Sequence, residues 1–298
     1  MAIGHDFDYA RPQELQQALE LRVQTPNSYF LAGGTDLIVN IRENMIKPDL
    51  LIDIKDISSL NTISNDNTYL SIGAGVTFSA IIDNPSIKKH FPMMWDAAKT
   101  VASSGVRNRA TLAGNICSAV PSMDSAPPLL CHEAIVVCQS LQGEREIPIE
   151  EWFVAPRKTA IHQDEILSRI KLKIPPDTST GIYVKLGRYG GEDLAQAGWG
   201  FYITKDWQYR IAHCALAPIP GRAHLMEKVL NSHALNDALI EEAISLIDKE
   251  IKPITDIRSS REYRVHMSSV MLKRGLWAAL DRLSGVKVEA NKLLGGTA

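Results

Sequence analysis

Residues 30–40 read FLAGGTDLIVN: an apolar stretch, two adjacent glycines, then Thr35 and Asp36 before a second apolar stretch. The first stretch predicts a buried strand, and the residues from Asp36 predict a short helix that ends near Pro48. A strand that turns into a helix at such glycines brings free backbone N–H groups to one spot, which favours phosphate binding. A tight turn that needs positive φ explains the same glycines without any ligand. This loop alone leaves both interpretations open.

A second stretch rich in small residues, SSGVRNRATLAGNICSAVPSMDSAPPLL at 103–130, again leaves the backbone accessible. Gly114 and Asn115 lie near its centre, and Asp124 follows them. Two such loops can hold the two phosphates of a dinucleotide from opposite sides. A carboxylate placed like that of Asp124 can accept hydrogen bonds from the hydroxyl groups of the same ligand. The two stretches together therefore favour a dinucleotide-binding protein.

Two common nucleotide-binding motifs are absent from the sequence. The glycines at 73 and 75 follow a predicted strand, but the third glycine of G-x-G-x-x-G would have to occupy the position of Phe78. Residues 33–36 fail the same test, and no G-x-x-x-x-G-K-[ST] segment occurs. The predicted dinucleotide site is thus of neither the Rossmann nor the P-loop type.

Composition and charge exclude several partners. The chain has 298 residues, of which 45% are hydrophobic and 22% charged, and its formal net charge is -2. Because no dense basic block occurs, we expect no nucleic-acid partner and no anionic membrane surface. No apolar run approaches the roughly 18 residues of a membrane span, and the N-terminus lacks the pattern of a secretory signal. We therefore expect a cytoplasmic protein.

The cysteines and histidines do not predict a metal site. Cys117, Cys131, Cys138 and Cys214 form no C-x-x-C pair, and the eight histidines show no ligand spacing. Iron–sulfur ligation needs clustered cysteines, so we expect buried thiols instead.

The order of predicted elements indicates an α+β protein. Pro175 and Pro176, followed by DTSTG, mark the best domain boundary. Before it, strands are predicted at 50–54, 69–73 and 170–174, a mostly helical stretch from Ser86, and a hairpin at Gln142–Gly143. After it come three strands in succession and, from about Ala223, a helical pattern.

Four segments together carry a specific resemblance: LAGGTDLI (31–38), RNRATLAGNICSAVPSMDSAPPLL (107–130), DEIL (164–167) and YVKLGRYGGEDLA (183–195). They resemble the FAD-binding medium subunit of the molybdenum hydroxylases. This family includes the flavin subunits of xanthine dehydrogenase, nicotinate dehydrogenase and carbon monoxide dehydrogenase. The resemblance spans nearly the whole chain, in order and without large insertions.

The resemblance implies a fold and its domains. An FAD-binding domain of two α/β subdomains, like those of PCMH and vanillyl-alcohol oxidase, would span 1–176, with subdomains at about 1–55 and 56–176. A C-terminal flavoprotein domain, a three-stranded antiparallel sheet plus a helical bundle, would span 177–290. Residues 291–298 would form a tail.

The resemblance also implies the residues that hold FAD without a covalent bond. The first loop would wrap the pyrophosphate through its backbone, Asp124 would hydrogen-bond a ribose or adenosine hydroxyl, and Leu167 and Lys185 would lie against the cofactor. Some relatives place an aromatic ring over the flavin where this chain has Val101 and Ala102. The complete predicted set is Leu31, Ala32, Gly33, Gly34, Thr35, Asp36, Leu37, Val101, Ala102, Thr111, Gly114, Asn115, Cys117, Asp124, Leu167 and Lys185.

As a function, the resemblance implies the FAD subunit of a larger oxidoreductase. A large molybdopterin subunit would hydroxylate an aromatic heterocycle of the purine or nicotinate type, and a small subunit with two [2Fe-2S] clusters would relay electrons to FAD. NAD⁺ or another acceptor would then be reduced. No residue of this chain is expected to be catalytic or to bind metal. Two alternatives stay open: a free-standing FAD-dependent oxidase, and a nucleotide-binding structural subunit without a redox cofactor.

Overall fold

The computed structural model describes residues 3–189 and 192–294. The chain begins with a small parallel sheet, in strand order β1-β3-β2, and two helices. The elements are β1 (Asp8–Ala10), α1 (Leu15–Gln24), β2 (Ser28–Leu31), α2 (Leu37–Arg42) and β3 (Leu50–Asp53). Because the strands are parallel, the loops that follow them leave from one edge, and the Gly33–Gly34 loop is one of these.

The helix α2 is shorter than the sequence predicts. We expected it to continue almost to Pro48, but it ends at Arg42. Asn44 adopts a φ of 56°, in the left-handed region, which terminates the helix. The prediction of its end was therefore wrong, whereas its start lies within one residue of Asp36.

A larger antiparallel sheet follows, with strand order β4-β5-β10-β6-β7. It includes the predicted strand at 69–73 and the hairpin that turns at Gln142. A 3-10 turn at Ser58–Asn61 precedes it. A short helix, α9 (Ile149–Trp152), and a small hairpin of β8 (Phe153–Ala155) and β9 (Lys158–Thr159) lie between the last two strands of this sheet in chain order. The strands of the sheet are β4 (Ile63–Asn65), β5 (Tyr69–Gly73), β6 (Ile135–Ser140), β7 (Gly143–Pro148) and β10 (Ile166–Lys173).

Six helices connect β5 to β6 and carry the second glycine stretch. The sequence predicts one mostly helical stretch from Ser86, but the chain turns at Phe91 because Pro92, which has no N–H, starts a new helix. Thr77, Asn84 and Ser103 cap helix starts with their side-chain oxygens. The helices are α3 (Phe78–Asp83), α4 (Pro85–His90), α5 (Pro92–Thr100), α6 (Ser104–Arg107), α7 (Leu112–Ser118) and α8 (Ala126–Cys131).

A second antiparallel sheet forms the C-terminal part, in the order β11-β12-β13-β14. Three strands were predicted, and the structure adds the two-residue β14, which pairs with Ala212 and His213 but is too short for a periodic sequence pattern. The elements are β11 (Ser179–Leu186), β12 (Ala197–Thr204), β13 (Tyr209–Cys214), β14 (Gly221–Arg222), α10 (His224–Leu230), α11 (Asp237–Ile244), α12 (Ile247–Glu250) and α13 (Arg261–Leu283).

Helices cover this sheet on both faces. The long helix α13 packs on one face of β11 and β12, and α5 and α8 pack on the other face. All eight residues of β12 are therefore buried. Arg282 at the end of α13 also donates to Asp96 Oδ2 of α5, at 2.7 Å. The C-terminal sheet is thus firmly packed against the helices that carry the second glycine stretch.

The predicted C-terminal tail begins in ordered structure. Residues Ala290–Lys292 form a 3-10 turn, and Leu293 and Leu294 pack against the core of the C-terminal sheet. The remaining residues of the predicted tail, 295–298, lie outside the described part of the chain. Among the described residues, no helix combines the length and the apolar character needed to cross a bilayer.

A buried histidine lies where the C-terminal sheet meets the helices. The ring of His132 packs edge-on against Phe91 and Tyr202, with centroid separations of 5.0 and 5.3 Å. Its Nε2 is buried and has no partner among the described residues. Burial, aided by the charge of Arg210, lowers the pKa of His132 to about 3. The ring is therefore neutral in the folded protein near neutral pH.

The low pKa of His132 predicts a loss of stability in mild acid. Unfolding restores a pKa near 6.5, so the unfolded chain binds the extra proton between about pH 6.5 and pH 3. The free energy of unfolding should fall as the pH drops through this window, and His132→Leu should flatten that fall. Urea unfolding at several pH values measures this free energy for the parent and the variant. His266→Leu, on the exposed face of α13, is the control. An equal pH dependence in the parent and in His132→Leu would contradict the prediction.

Candidate functional site

One cleft brings both glycine stretches together. It has a volume of about 710 Å³, within the range of small-molecule sites, and it lies between the loop after β2, the α5–α7 region and the segment that precedes β12. Most of the predicted site residues line it: Ala32, Gly33, Gly34, Thr35, Asp36, Leu37, Val101, Ala102, Thr111, Gly114, Asn115, Cys117 and Asp124.

Three predicted residues are not among the described residues that line the cleft. Leu31 ends β2 and lies beneath the loop, where its Cδ1 would be 2.9 Å from a β-carbon built on Gly34. Leu167 is a core residue of β10, only 2% exposed. Lys185 lies on β11 behind Asp124, with its ammonium group turned to protein oxygens. The structure therefore places these three around the site rather than on its surface.

Gly33 has no space for a β-carbon because the second loop fills it. A β-carbon on Gly33 would overlap the backbone carbonyl group of Arg109 and also crowd Ala110. The two glycine stretches thus touch backbone to backbone at this point. Gly34 differs, because it adopts a φ of 74°, which glycine tolerates far better than other residues. Both adjacent glycines therefore serve the geometry of the loops.

The first loop nevertheless presents unsatisfied donors. The backbone N–H groups of residues 33–36 have no protein acceptor in the described part of the chain. These residues line the cleft, so the donors lie beside its open volume. Unpaired N–H groups cost free energy unless water or a ligand accepts from them, and an anion is the strongest acceptor. The loop can therefore hold a phosphate through its backbone.

The second loop is held rigid by short-range hydrogen bonds. Thr111 caps α7, since its Oγ1 accepts from the N–H of Gly114 at 2.9 Å. The amide oxygen of Asn115 accepts from the Ser125 hydroxyl at 2.6 Å, which fixes the orientation of the amide. A β-carbon on Gly114 would approach Thr111 Oγ1 at 3.0 Å and nothing else within 4 Å. Gly114 is thus the glycine that keeps space open on the α7 side of the cleft.

Asp124 is bonded to protein groups on both of its oxygens. Its Oδ1 accepts from the Tyr183 hydroxyl at 2.7 Å, and its Oδ2 accepts from Lys185 Nζ at 2.8 Å. Burial raises the pKa of the Asp124 carboxyl, and the two donors oppose this rise. Each carboxylate oxygen has further lone pairs, so a hydroxyl of a ligand can still donate to it. Asp124 therefore connects the second loop to β11 through these two hydrogen bonds.

The structure adds cleft residues that the sequence reasoning missed. Arg157, in the turn of the β8–β9 hairpin, is the one Lys or Arg side chain among the described residues lining the cleft. No local pattern distinguishes it from other exposed arginines. Asn40 lies one helical turn after Leu37 on the same face of α2, so the 3.6-residue period offered a signal for it. Glu192, Asp193 and Leu194 reach the cleft from the loop before β12.

The cleft fits the FAD that the resemblance implies. Its loop donors suit a pyrophosphate, and its apolar wall residues, such as Val101, Val106 and Met123, suit aromatic rings. Cys117 is exposed at the wall as a free thiol. No group of three or more His, Cys, Asp or Glu side chains within residues 3–189 and 192–294 is placed to bind a metal ion.

The contact between the loops predicts that two glycine substitutions change the stability of the protein by different amounts. Gly33→Ala should lower the free energy of unfolding by about 1 to 3 kcal/mol, because the new β-carbon forces the two loops apart. Gly114→Ala, the matched control, should change it by less than about 1 kcal/mol, since alanine favours the helix. Urea unfolding of both variants without cofactor measures the difference. Equal stability of the two variants would contradict this geometry.

Comparison with known proteins identifies the family. Residues 5–176 match the family model of the FAD binding domain in molybdopterin dehydrogenase, and residues 183–279 match that of the CO dehydrogenase flavoprotein C-terminal domain. The chain is 29% identical over 289 residues to the putative xanthine dehydrogenase FAD-binding subunit XdhB of Escherichia coli (strain K12), which covers 94% of this chain and 99% of the relative. It is 29% identical over 290 residues to the caffeine dehydrogenase subunit beta of Pseudomonas sp. (strain CBB1), covering 95% and 98%.

A solved structure agrees with this assignment. A chain of carbon monoxide dehydrogenase from Hydrogenophaga pseudoflava, in a form that lacks the Mo-pyranopterin moiety of the molybdenum cofactor, superposes with a TM-score of 0.90. It is 28% identical, and the match covers 94% of this chain and 99% of that one. The chain therefore belongs to the FAD-binding medium subunits of the xanthine dehydrogenase and carbon monoxide dehydrogenase family.

Proposed function

We propose that this chain carries FAD between an iron–sulfur subunit and a final electron acceptor in a molybdenum hydroxylase. The observation that carries the proposal is the cleft, which is lined both by residues 33–36, whose N–H groups have no protein acceptor in the described part of the chain, and by the small residues of α7. As a family member, the chain is an FAD subunit of a molybdenum hydroxylase-type dehydrogenase. The substrate, the electron acceptor and the direction of electron flow are the parts of this function that we propose.

The residues of the cleft have distinct proposed roles. The backbone of residues 33–36 binds the pyrophosphate, and Gly114 and Asn115 face it from α7. Asp124 accepts from a hydroxyl of the cofactor while it holds Lys185. Arg157 supplies a positive charge to an anionic part of FAD. We further propose that residues 1–176 form the cofactor-binding domain and residues 177–290 the flavoprotein domain that covers it.

FAD would supply redox chemistry that the side chains lack, because a flavin can take up electrons one at a time and pass on two together. This chain contributes binding, orientation and exclusion of water. Its four cysteines are free thiols, and no group of three or more His, Cys, Asp or Glu side chains in the described residues is placed to bind a metal ion. Clusters that deliver electrons are therefore proposed to belong to a partner with its own ligands, alongside a large molybdopterin subunit.

The free-standing oxidase is the weaker alternative. Such an enzyme often holds its flavin through a His or Cys side chain, and no histidine is among the described residues that line the cleft. Cys117 does line the cleft, so a covalent link to the flavin is a concrete alternative to non-covalent binding. Acid precipitation separates the two: we expect all flavin in the supernatant, whereas flavin retained on the precipitate would contradict non-covalent binding.

The proposed substrate is an aromatic heterocycle of the purine or nicotinate type. Two relatives are named for xanthine and caffeine, both purines, but the superposed structure is a carbon monoxide dehydrogenase. Medium chains of one fold therefore occur with chemically different substrates. This supports a division of labour in which the large partner selects the substrate and this chain handles electrons.

Anaerobic flavin reduction tests the proposed function. The FAD-loaded chain alone should keep its visible flavin band when xanthine or nicotinate is added, because it has no substrate site of its own. The complex assembled with its large and small subunits should lose the band with the correct heterocycle and regain it with NAD⁺. Reduction of the isolated chain by substrate would instead support the free-standing enzyme, because the substrate would then be oxidised directly at the flavin.

Gly114→Val tests, in the same experiment, whether electrons pass through FAD. A branched side chain at Gly114 points into the open part of the cleft and should exclude FAD while the chain still folds. In the assembled complex, substrate should then reduce the iron–sulfur clusters, but NAD⁺ should not reoxidise them at the parental rate. Full NAD⁺ reduction by a flavin-free Gly114→Val complex would contradict the proposed electron path.

A further inference from the structure

Three successive carbonyl groups at the end of α5 accept hydrogen bonds from two cations. Lys185 Nζ donates to Thr100 O at 2.9 Å. Arg107 Nη1 donates to Val101 O at 2.9 Å and to Ala102 O at 2.6 Å. Thr100 ends α5 and Val101 is its C-cap, so their carbonyls have no partner within the helix. The two cations satisfy these carbonyls and that of the next residue, Ala102, and they lie at the negative end of the helix dipole.

The segment held in this way is a wall of the FAD cleft. Val101 and Ala102 line it, but neither Arg107 nor Lys185 is among the described residues that do. Ala102 has a φ of 39°, in the left-handed region that alanine adopts at a cost. Arg107 also donates to the Ser104 hydroxyl at 3.0 Å, which fixes the guanidinium group while it holds Ala102. The unusual backbone of the wall is thus maintained by an arginine outside the cleft.

Lys185 connects the same wall to the C-terminal sheet. Its ammonium group lies between Thr100 O and Asp124 Oδ2, and its side chain is 9% exposed. Tyr183, two residues earlier on β11, donates to the other oxygen of Asp124. A β-carbon at Gly198 on β12 would overlap the Tyr183 hydroxyl, so the sheet leaves space for this contact. The strand β11 therefore contacts Thr100, the residue before the wall, through one hydrogen bond, and it contacts Asp124 through a buried ion pair and a second hydrogen bond.

We propose that Arg107 and Lys185 are positioning residues of the FAD site, which hold the wall at Val101–Ala102 in the conformation that accepts the cofactor. Asp124 acts on that wall through Lys185, in addition to any bond that it makes to FAD. The inference rests on the proposed function, because the wall matters to binding only when the cleft holds FAD. It goes further by assigning a role in cofactor binding to Arg107, which lies outside the cleft.

Arg107→Gln tests the inference. The variant loses the charge that holds two carbonyls, so the binding-competent wall becomes a minor population and the apparent Kd for FAD rises by the inverse of that population. We expect a rise of about tenfold, measured by flavin fluorescence, if about a tenth of the molecules keep the competent wall. Arg107→Lys should give an intermediate Kd, because one ammonium group can still hold a carbonyl. Lys99→Gln, which removes an exposed cation from the last turn of α5, should bind FAD like the parent.

A second measurement separates positioning from simple helix capping. Capping alone would lower the thermal midpoint of the cofactor-free chain but leave the Kd, measured well below that midpoint, within about twofold of the parent. That result in folded Arg107→Gln would overturn the inference. If Arg107→Gln does not fold, Arg107→Lys takes its place, and an unchanged Kd there overturns it equally. A parent chain that binds no FAD would instead overturn the proposed function, and this inference with it.

The link through Asp124 has its own test. The double variant Asp124→Asn with Lys185→Met removes the ion pair without leaving a lone buried charge. Its Kd for FAD should rise by at least as much as that of Asp124→Asn with Lys185→Arg, which keeps a cation near Thr100 O. Tighter binding by the Met-containing double variant would contradict the role given to Lys185.

Discussion

The backbone contact between Gly33 and Arg109 is the constraint on which the cleft depends. No other residue type fits at Gly33, because a β-carbon would overlap the Arg109 carbonyl group. This contact brings the loop after β2 against the start of α7, although 76 residues separate Gly33 from Arg109 in the sequence. The two loops then frame one space, which residues 33–36 line from one side. Without this contact, the two glycine stretches would be separate turns and not one site.

The C-terminal sheet completes the site that the loops begin. It packs on α5 and α8, and its strand β11 reaches the cleft wall through Tyr183 and Lys185. Asp124 receives both side chains, so the carboxylate that the resemblance assigns to the cofactor also joins the sheet to the helices. Cofactor binding and the packing of the two parts are therefore physically linked.

The sequence predicted those features whose cause is local. The strand at 69–73 follows from its residue pattern, and the loops follow from their glycines, because these signals depend only on neighbouring residues. Most residues of the set that the family resemblance implies line the cleft, but the resemblance did not show that Leu167 is buried in the core or that Lys185 donates to Thr100 O. Arg157 and the partners of Asp124 depend on contacts between distant segments, and Tyr183 lies 59 residues from Asp124. Such contacts leave no periodic signal in one sequence.

The errors in the predicted fold also arise where the neighbouring residues do not decide the structure. The helix α2 ends early because Asn44 adopts a left-handed conformation, which its sequence permits but does not require. The fourth strand, β14, exists only because β13 offers a free edge to two residues. At Gly33 the neighbour that excludes a β-carbon is the backbone of Arg109, and this contact between distant segments is not visible in the sequence.

The most direct test of the account compares FAD with FMN. The purified chain is titrated with each flavin, and fluorescence and visible absorbance are followed. If the paired loops hold the pyrophosphate, FAD should bind tightly and FMN, which lacks the second phosphate and the adenosine, should bind at least about tenfold more weakly, a difference of about 1.4 kcal/mol. Equal binding of the two flavins, or binding of neither by a folded chain, would contradict the claim that these loops form a dinucleotide site.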